Sequence, residues 1–154
     1  SIGLAEAEAH AGRHDAADRR FQALLERMPR NPAIAMSYAE VLVARNTPEA
    51  GRRARDVLRP LLATSGSDPA FQRTFARASE IAGDPVRAGE AWAEAAFLSG
   101  REEQALVQLN TLKKRDDLDY YARARIDARI SQITPVVLEL RRQGVRDPDL
   151  NRRR

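Results

Sequence analysis

Ala93-Glu94-Ala95-Ala96-Phe97-Leu98-Ser99-Gly100-Arg101-Glu102-Glu103-Gln104-Ala105-Leu106-Val107-Gln108-Leu109 is the stretch that decides the fold. One alanine stands seven residues before Gly100, another five after it, and a large apolar residue nine after it. The same spacing surrounds Gly12, with Ala5, Ala17 and Phe21, and Gly83, with Ala76, Ala88 and Trp92. A fourth copy has Ala39 before its turn and Ala54 with Leu58 after it, once three extra residues are allowed between Asn46 and Arg53. Two antiparallel helices joined by a tight turn approach closely only if small residues meet at the crossing, and the large residue one turn further fills the groove between successive hairpins. The spacing is therefore a helical-hairpin repeat.

Working outward, Gly and Pro punctuate the chain into segments of three or four helical turns. The pattern predicts eight helices over 2–11, 13–28, 33–45, 49–63, 69–82, 86–99, 101–114 and 118–143. They group into hairpin units over 2–28, 33–63, 69–99 and 86–114, because helix 86–99 satisfies both the second-helix pattern (Ala88, Trp92) and the first-helix pattern (Ala93, Gly100). The small residues, turn glycines and closing prolines (Pro29, Pro69) resemble the tetratricopeptide repeat. The fold class is thus expected to be all-α, a superhelical solenoid of tetratricopeptide type closed by a C-terminal capping helix. In that last helix, 118–143, the stripe Ile126, Ile130, Ile133, Val137, Leu140 is an apolar face fit to seal the end of the stack or to dock another domain. Pro135 within it removes one intrahelical hydrogen bond and is expected to kink or split the helix.

Of 154 residues, 43% are hydrophobic and 31% charged, and 26 Lys+Arg against 22 Asp+Glu give +4. Six arginines and two aspartates lie in 141–154, which leaves 20 charges of each sign in 1–140. The body is neutral, and 144–154 is expected to be an Arg-rich, disordered tail. No apolar run approaches a membrane span, and zero cysteines exclude thiol catalysis and Cys-ligated zinc. The opening Ser1-Ile2-Gly3, without methionine and already in a helical pattern, leads us to expect a piece of a longer protein.

Candidate chemistry is sparse. His10 and His14 imitate the i, i+4 spacing of a zinc helix, but Ala11 stands where the glutamate base belongs and Gly12 ends the helix, so surface histidines are expected. Glu102-Glu103 and Asp116-Asp117 with Asp119 sit at or before helix starts, where acids cap amides and oppose the macrodipole. No nucleophile elbow, phosphate loop or dinucleotide fingerprint is present, so no catalytic residue, cofactor-binding residue or metal ligand is expected. Arginine outnumbers lysine 24 to 2, yet it is interspersed with as many acids and there are only eight aromatics, so nucleic-acid binding is not expected. What remains is the surface that such a solenoid makes, a groove lined by first helices and suited to a peptide or helix. Its candidate binding residues are Glu6, Met36, Glu40, Val43, Arg73, Arg77, Glu80, Glu90 and Glu94.

The stretch Ala93 to Leu109, followed by Asp119-Tyr120-Tyr121-Ala122-Arg123-Ala124-Arg125-Ile126-Asp127-Ala128-Arg129-Ile130, resembles the closing part of BepA-like periplasmic zinc metallopeptidases over residues 1 to 133. The resemblance implies a non-catalytic tetratricopeptide domain, located in the periplasm, with zinc confined to a protease domain outside this chain. Its implied partners are that protease domain, the outer-membrane β-barrel assembly machinery and stalled barrel substrates. The family's H-E-x-x-H helix is absent here, and the residues after Ile133 follow no pattern of the family. A stand-alone adaptor, co-chaperone or cell-envelope scaffold without a protease is the alternative.

Overall fold

The structure, a computed structural model, describes residues 1–148, and Arg152 to Arg154 lie outside the described residues. It comprises α1 (Ile2–His10), α2 (His14–Arg27), α3 (Pro32–Arg45), α4 (Pro48–Leu58), α5 (Leu62–Ser65), α6 (Pro69–Ile81), α7 (Pro85–Leu98), α8 (Glu102–Lys113) and α9 (Tyr120–Arg142). A 3-10 turn, Arg59–Leu61, separates α4 from α5, and no strand occurs among the described residues. The fold class is all-α.

Helix starts are set by side-chain oxygens that take up orphan amides. Asn31 accepts from the amides of Ala33 and Ile34 at 2.9 and 3.2 Å, Thr47 from Ala50 at 3.2 Å, and Asp119 from Ala122 at 2.7 Å. Pro32 and Pro48 take the first helical position, where a missing N–H costs nothing. Helix ends are set by the repeat glycines. Gly12, Gly83 and Gly100 have φ of 79°, 85° and 80°, and the residue after each donates to a carbonyl five positions back (Arg13 to Glu8, Asp84 to Ser79, Arg101 to Ala96, all 2.9 Å). This is the left-handed turn that L side chains resist. The fourth copy turns on Asn46 instead, at φ 57°.

The residues group into two compact units, one of Ser1–Gly66 with 77–84, the other of 67–76 with the chain from Pro85 on. In the first, α1 packs on α2, α3 packs on α4, and α3 also meets α1 and α2. Ala5, Ala17, Ala39 and Ala54 of the repeat are fully buried, and so are Phe21 and Leu58. Phe21 stacks on Tyr38 with ring centroids 4.8 Å apart. Gly51 marks a close backbone approach: a Cβ there would lie 2.7 Å from the Ala82 nitrogen and 2.9 Å from the Ala78 oxygen.

In the second unit α7 packs on α8 and α8 on α9. Ala93, Ala105, Leu109, Ile126, Ile133 and Val137 form one buried cluster, so the α9 stripe is an inner face. Both small positions of α7, Ala88 and Ala93, are buried, whereas Trp92, expected to fill a groove, is only partly covered.

Three expectations are corrected. The helix over 49–63 is interrupted: Pro60 has no N–H to give the Asp56 carbonyl, and the chain tightens into the 3-10 turn before α5. Conversely, of the kink or split expected at Pro135 the split does not occur, and α9 runs through it as one helix. Pro135 and Ser131, four residues earlier, are both exposed, so the carbonyl that Pro135 leaves without a donor lies on the solvent side of the helix. Finally, residues 144–148, the described part of the expected tail, do not leave as a free end. Gly144 ends α9 with φ 76°, as the repeat glycines end their helices, and the Val145 amide donates to Leu140 oxygen at 2.8 Å. Asp147, 3% exposed, then accepts from the amides of Glu103 and Gln104 at 3.2 and 2.8 Å. Helix α8 has no side-chain cap from its own Arg101, so its N-cap arrives from 44 residues downstream. Glu103, in the first turn of α8 as expected of a macrodipole-opposing acid, is buried beneath this closure and paired with Arg146 at 2.7 Å and Arg141 at 3.4 Å.

Candidate functional site

The first unit has a groove of ≈ 490 Å³. Its walls come from α1 (Glu6, Ala9, His10) and α3 (Ser37, Glu40, Val41, Ala44, Arg45), and His14 at the start of α2 closes one end. These positions recur every three or four residues, so each helix gives one face to the groove. Ala9 and Ala44 leave room between them. Ser37 donates its hydroxyl to Glu6 at 3.0 Å, which fixes that carboxylate against α3, and Glu40 is exposed.

Behind this groove lies the polar centre of the unit. Asp18 accepts from Arg45 Nη2 at 2.6 Å, Arg45 Nη1 at 3.0 Å, Arg53 Nη1 at 3.0 Å and the Tyr38 hydroxyl at 3.1 Å. Burial alone would raise its pKa, but the Arg45 hydrogen bonds and charge, with Tyr38 and Arg53, outweigh it and hold the carboxyl below the usual carboxylate range. Burial, with the Asp18 charge beside it, pushes the Tyr38 hydroxyl up. Arg45 is thus clamped into the wall with its charge compensated, leaving Glu6 and Glu40 to set the sign of the groove. Elsewhere in this unit Arg20 pairs with Glu8, and Arg55 pairs with Asp84 at 2.9 Å. Arg20, Arg45, Arg53 and Arg55 are thus spent on holding the segments of this unit together.

The second unit has two shallower grooves that share Trp92 and Gln108. One, of ≈ 360 Å³, is lined by Arg73, Ala95, Ala96, Ser99, Arg101 and Gln104, with no carboxylate. The other, of ≈ 430 Å³, is mostly apolar, lined by Gly89, Val107, Thr111, Leu112 and Arg115. Gln108 Oε1 between them is buried and has no hydrogen-bond partner.

Of the nine residues projected onto the groove, Glu6 and Glu40 line the α1/α3 groove and Arg73 lines the groove beside Trp92. Met36 and Val43 are half-buried on α3 and line neither. Arg77 and Glu80 are exposed on the C-terminal half of α6. Glu90 and Glu94 are corrected. Each is held by a two-pronged arginine from α9, Arg125 at 2.9 and 3.0 Å and Arg129 at 2.8 and 2.8 Å. Arg129 also lies 4.7 Å over the Phe97 ring. These two glutamates fasten a helix of the chain itself and are not open to a ligand.

His10, His14, Ser37 and Trp92 were not among the projected residues. Ser37 stands three residues before Glu40, a signal the register already contained. His10 and His14 are both exposed and border the first groove. Among the described residues no three His, Asp or Glu side chains gather to hold a metal ion, and no helix is long and apolar enough to cross a membrane. No family model matches the chain, and no curated protein matches it.

Proposed function

We propose that this chain is a non-catalytic protein-interaction domain of tetratricopeptide type, which holds segments of other proteins in the grooves between its helices. The observation that supports this best is the α1/α3 groove. Helices α1 and α3 open a polar trough, and its acids Glu6 and Glu40 line it. The helices beneath are fixed by buried ion pairs, so the trough is presented on a rigid support, which lowers the ordering cost of binding. The absence of carboxylates in the Arg73 groove offers a second contact of opposite sign.

The resemblance carried by Ala93 to Ile130 supports a more specific setting. The domain would serve a periplasmic zinc metallopeptidase in outer-membrane β-barrel assembly and quality control, with chemistry and zinc residing in a separate protease domain. Its partners would then be that domain, the assembly machinery and unfinished barrels. The test is charge reversal at both Glu6 and Glu40. The helical circular dichroism stays intact, and capture of a protein partner from a cell-envelope extract falls about tenfold or more, because like charges then meet across the contact. Unchanged capture contradicts the groove assignment.

A further inference from the structure

The outer surface of α9 carries a second stripe. Tyr121, Ala124, Ala128, Ser131, Pro135 and Leu138 recur at steps of three and four, on the side opposite the buried Ile126, Ile133 and Val137, and all six are exposed. None is charged. Tyr121 is 72% exposed, Leu138 50%, and Tyr120 beside them 80%. Several flanking charges already have partners within the chain, Arg125 and Arg129 on Glu90 and Glu94, Asp127 on Lys113 at 2.8 Å, and Arg142 on Glu139 at 2.7 Å. An uncharged helix face of this length, with exposed aromatics at one end, is unusual on an isolated surface.

We infer that this face is the two-fold interface of a homodimer, with α9 packed antiparallel against α9 of a second copy. The stripe complements itself in that orientation. Setting Ala128 opposite Ser131 of the second copy also sets Ala124 opposite Pro135 and Tyr121 opposite Leu138. Small residues then meet in the middle, where they let the helix axes approach closely, and an aromatic ring covers an aliphatic side chain at each end. The charges agree. In this register Arg123, Arg125 and Asp127 face the uncharged Val136, Thr134 and Gln132. A parallel pair in register would instead set every one of those charges against its own copy. The area also fits: the exposed tyrosines alone offer about 300 Å² per copy. With the rest of the stripe, a symmetric pair reaches the ~1,000 Å² that a specific interface needs. The inference is independent of the groove reading, since it uses neither groove.

Sedimentation velocity of the chain over a concentration series tests it. A monomer–dimer equilibrium is expected, with unchanged circular dichroism but a dissociation constant raised about a hundredfold by Ala128→Glu, which places two carboxylates face to face in the contact. Orientation is read by crosslinking, since the chain has no cysteine of its own. With a short bismaleimide, Ala128→Cys chains join to each other, and Tyr121→Cys chains join to Leu138→Cys chains, while Leu138→Cys chains alone do not. A monomer at every concentration, a dimer indifferent to Ala128→Glu, or ready joining of Leu138→Cys chains to one another overturns the proposal.

Discussion

Replacing Asp18 by alanine removes the group on which three helices converge. Its carboxylate and the Arg45 side chain are each only 13% exposed, so the substitution strands a nearly buried guanidinium and also orphans the Tyr38 hydroxyl. Breaking a buried pair from one side costs about 3–5 kcal/mol. The half-exposed Arg53 adds little, because water already screens it. We therefore expect a loss of about 3 kcal/mol for Asp18→Ala, and about 2 kcal/mol for Asp18→Asn, which keeps an acceptor for Tyr38. Urea unfolding followed by far-ultraviolet circular dichroism measures it. Trp92 fluorescence, from the second unit, shows whether the two units unfold together. The same carboxylate gives a pH signature. Its folded pKa lies below the ordinary value of 3.8, so its contribution is fully present above that value and is lost as pH falls through the folded value. The wild-type chain should lose this share of stability below about pH 4, while Asp18→Asn should lack that part of the dependence. A cost under about 1 kcal/mol for Asp18→Ala, with an unchanged acid limb, would refute the reasoning.

Gly51→Ala should destabilise by about 2 kcal/mol despite alanine's better helix propensity, because its Cβ meets backbone atoms of Ala78 and Ala82. Gly89→Ala, which meets only the flexible end of Leu112, should stay within about 1 kcal/mol; thermal melts of the pair compare them, and equal costs would contradict the packing at Gly51. Asp147→Ala should cost about 1–2 kcal/mol as the loss of a helix cap, with faster hydrogen exchange at the Glu103 and Gln104 amides; unchanged exchange there would mean that residues 144–148 do not dock. Charge reversal at Arg73 should leave the helical circular dichroism intact and weaken capture of an acidic segment while sparing one held by Glu6 and Glu40; equal weakening of both would contradict the role given to Arg73.

The hairpins were legible because local sterics write them. An alanine at a helix crossing and a glycine with positive φ at a turn are demanded by atoms a few residues away, and these positions are buried or left-handed as the spacing requires. Pro60 escaped notice because the apolar positions on either side of it, Leu58 and Leu61, keep a helical spacing through the break. The Asp18 cluster was illegible for the opposite reason. Its partners Arg45 and Arg53 lie 27 and 35 residues away, and in a chain with 24 arginines nothing local singles them out. Glu90 and Glu94 were misplaced because the repeat register projects which side of α7 they occupy, but not that α9 returns to cover it. Asp147 reads as part of an arginine-rich end until α8 is seen to lack a cap of its own.

The α1/α3 groove is expected to receive another protein. A photoreactive amino acid placed at Glu40, and at the exposed Gln22 on α2 as a control, tests it in living cells. Adducts with a discrete protein partner should form from position 40 and not from position 22. No adduct at 40, or equal adducts at both, would contradict the account.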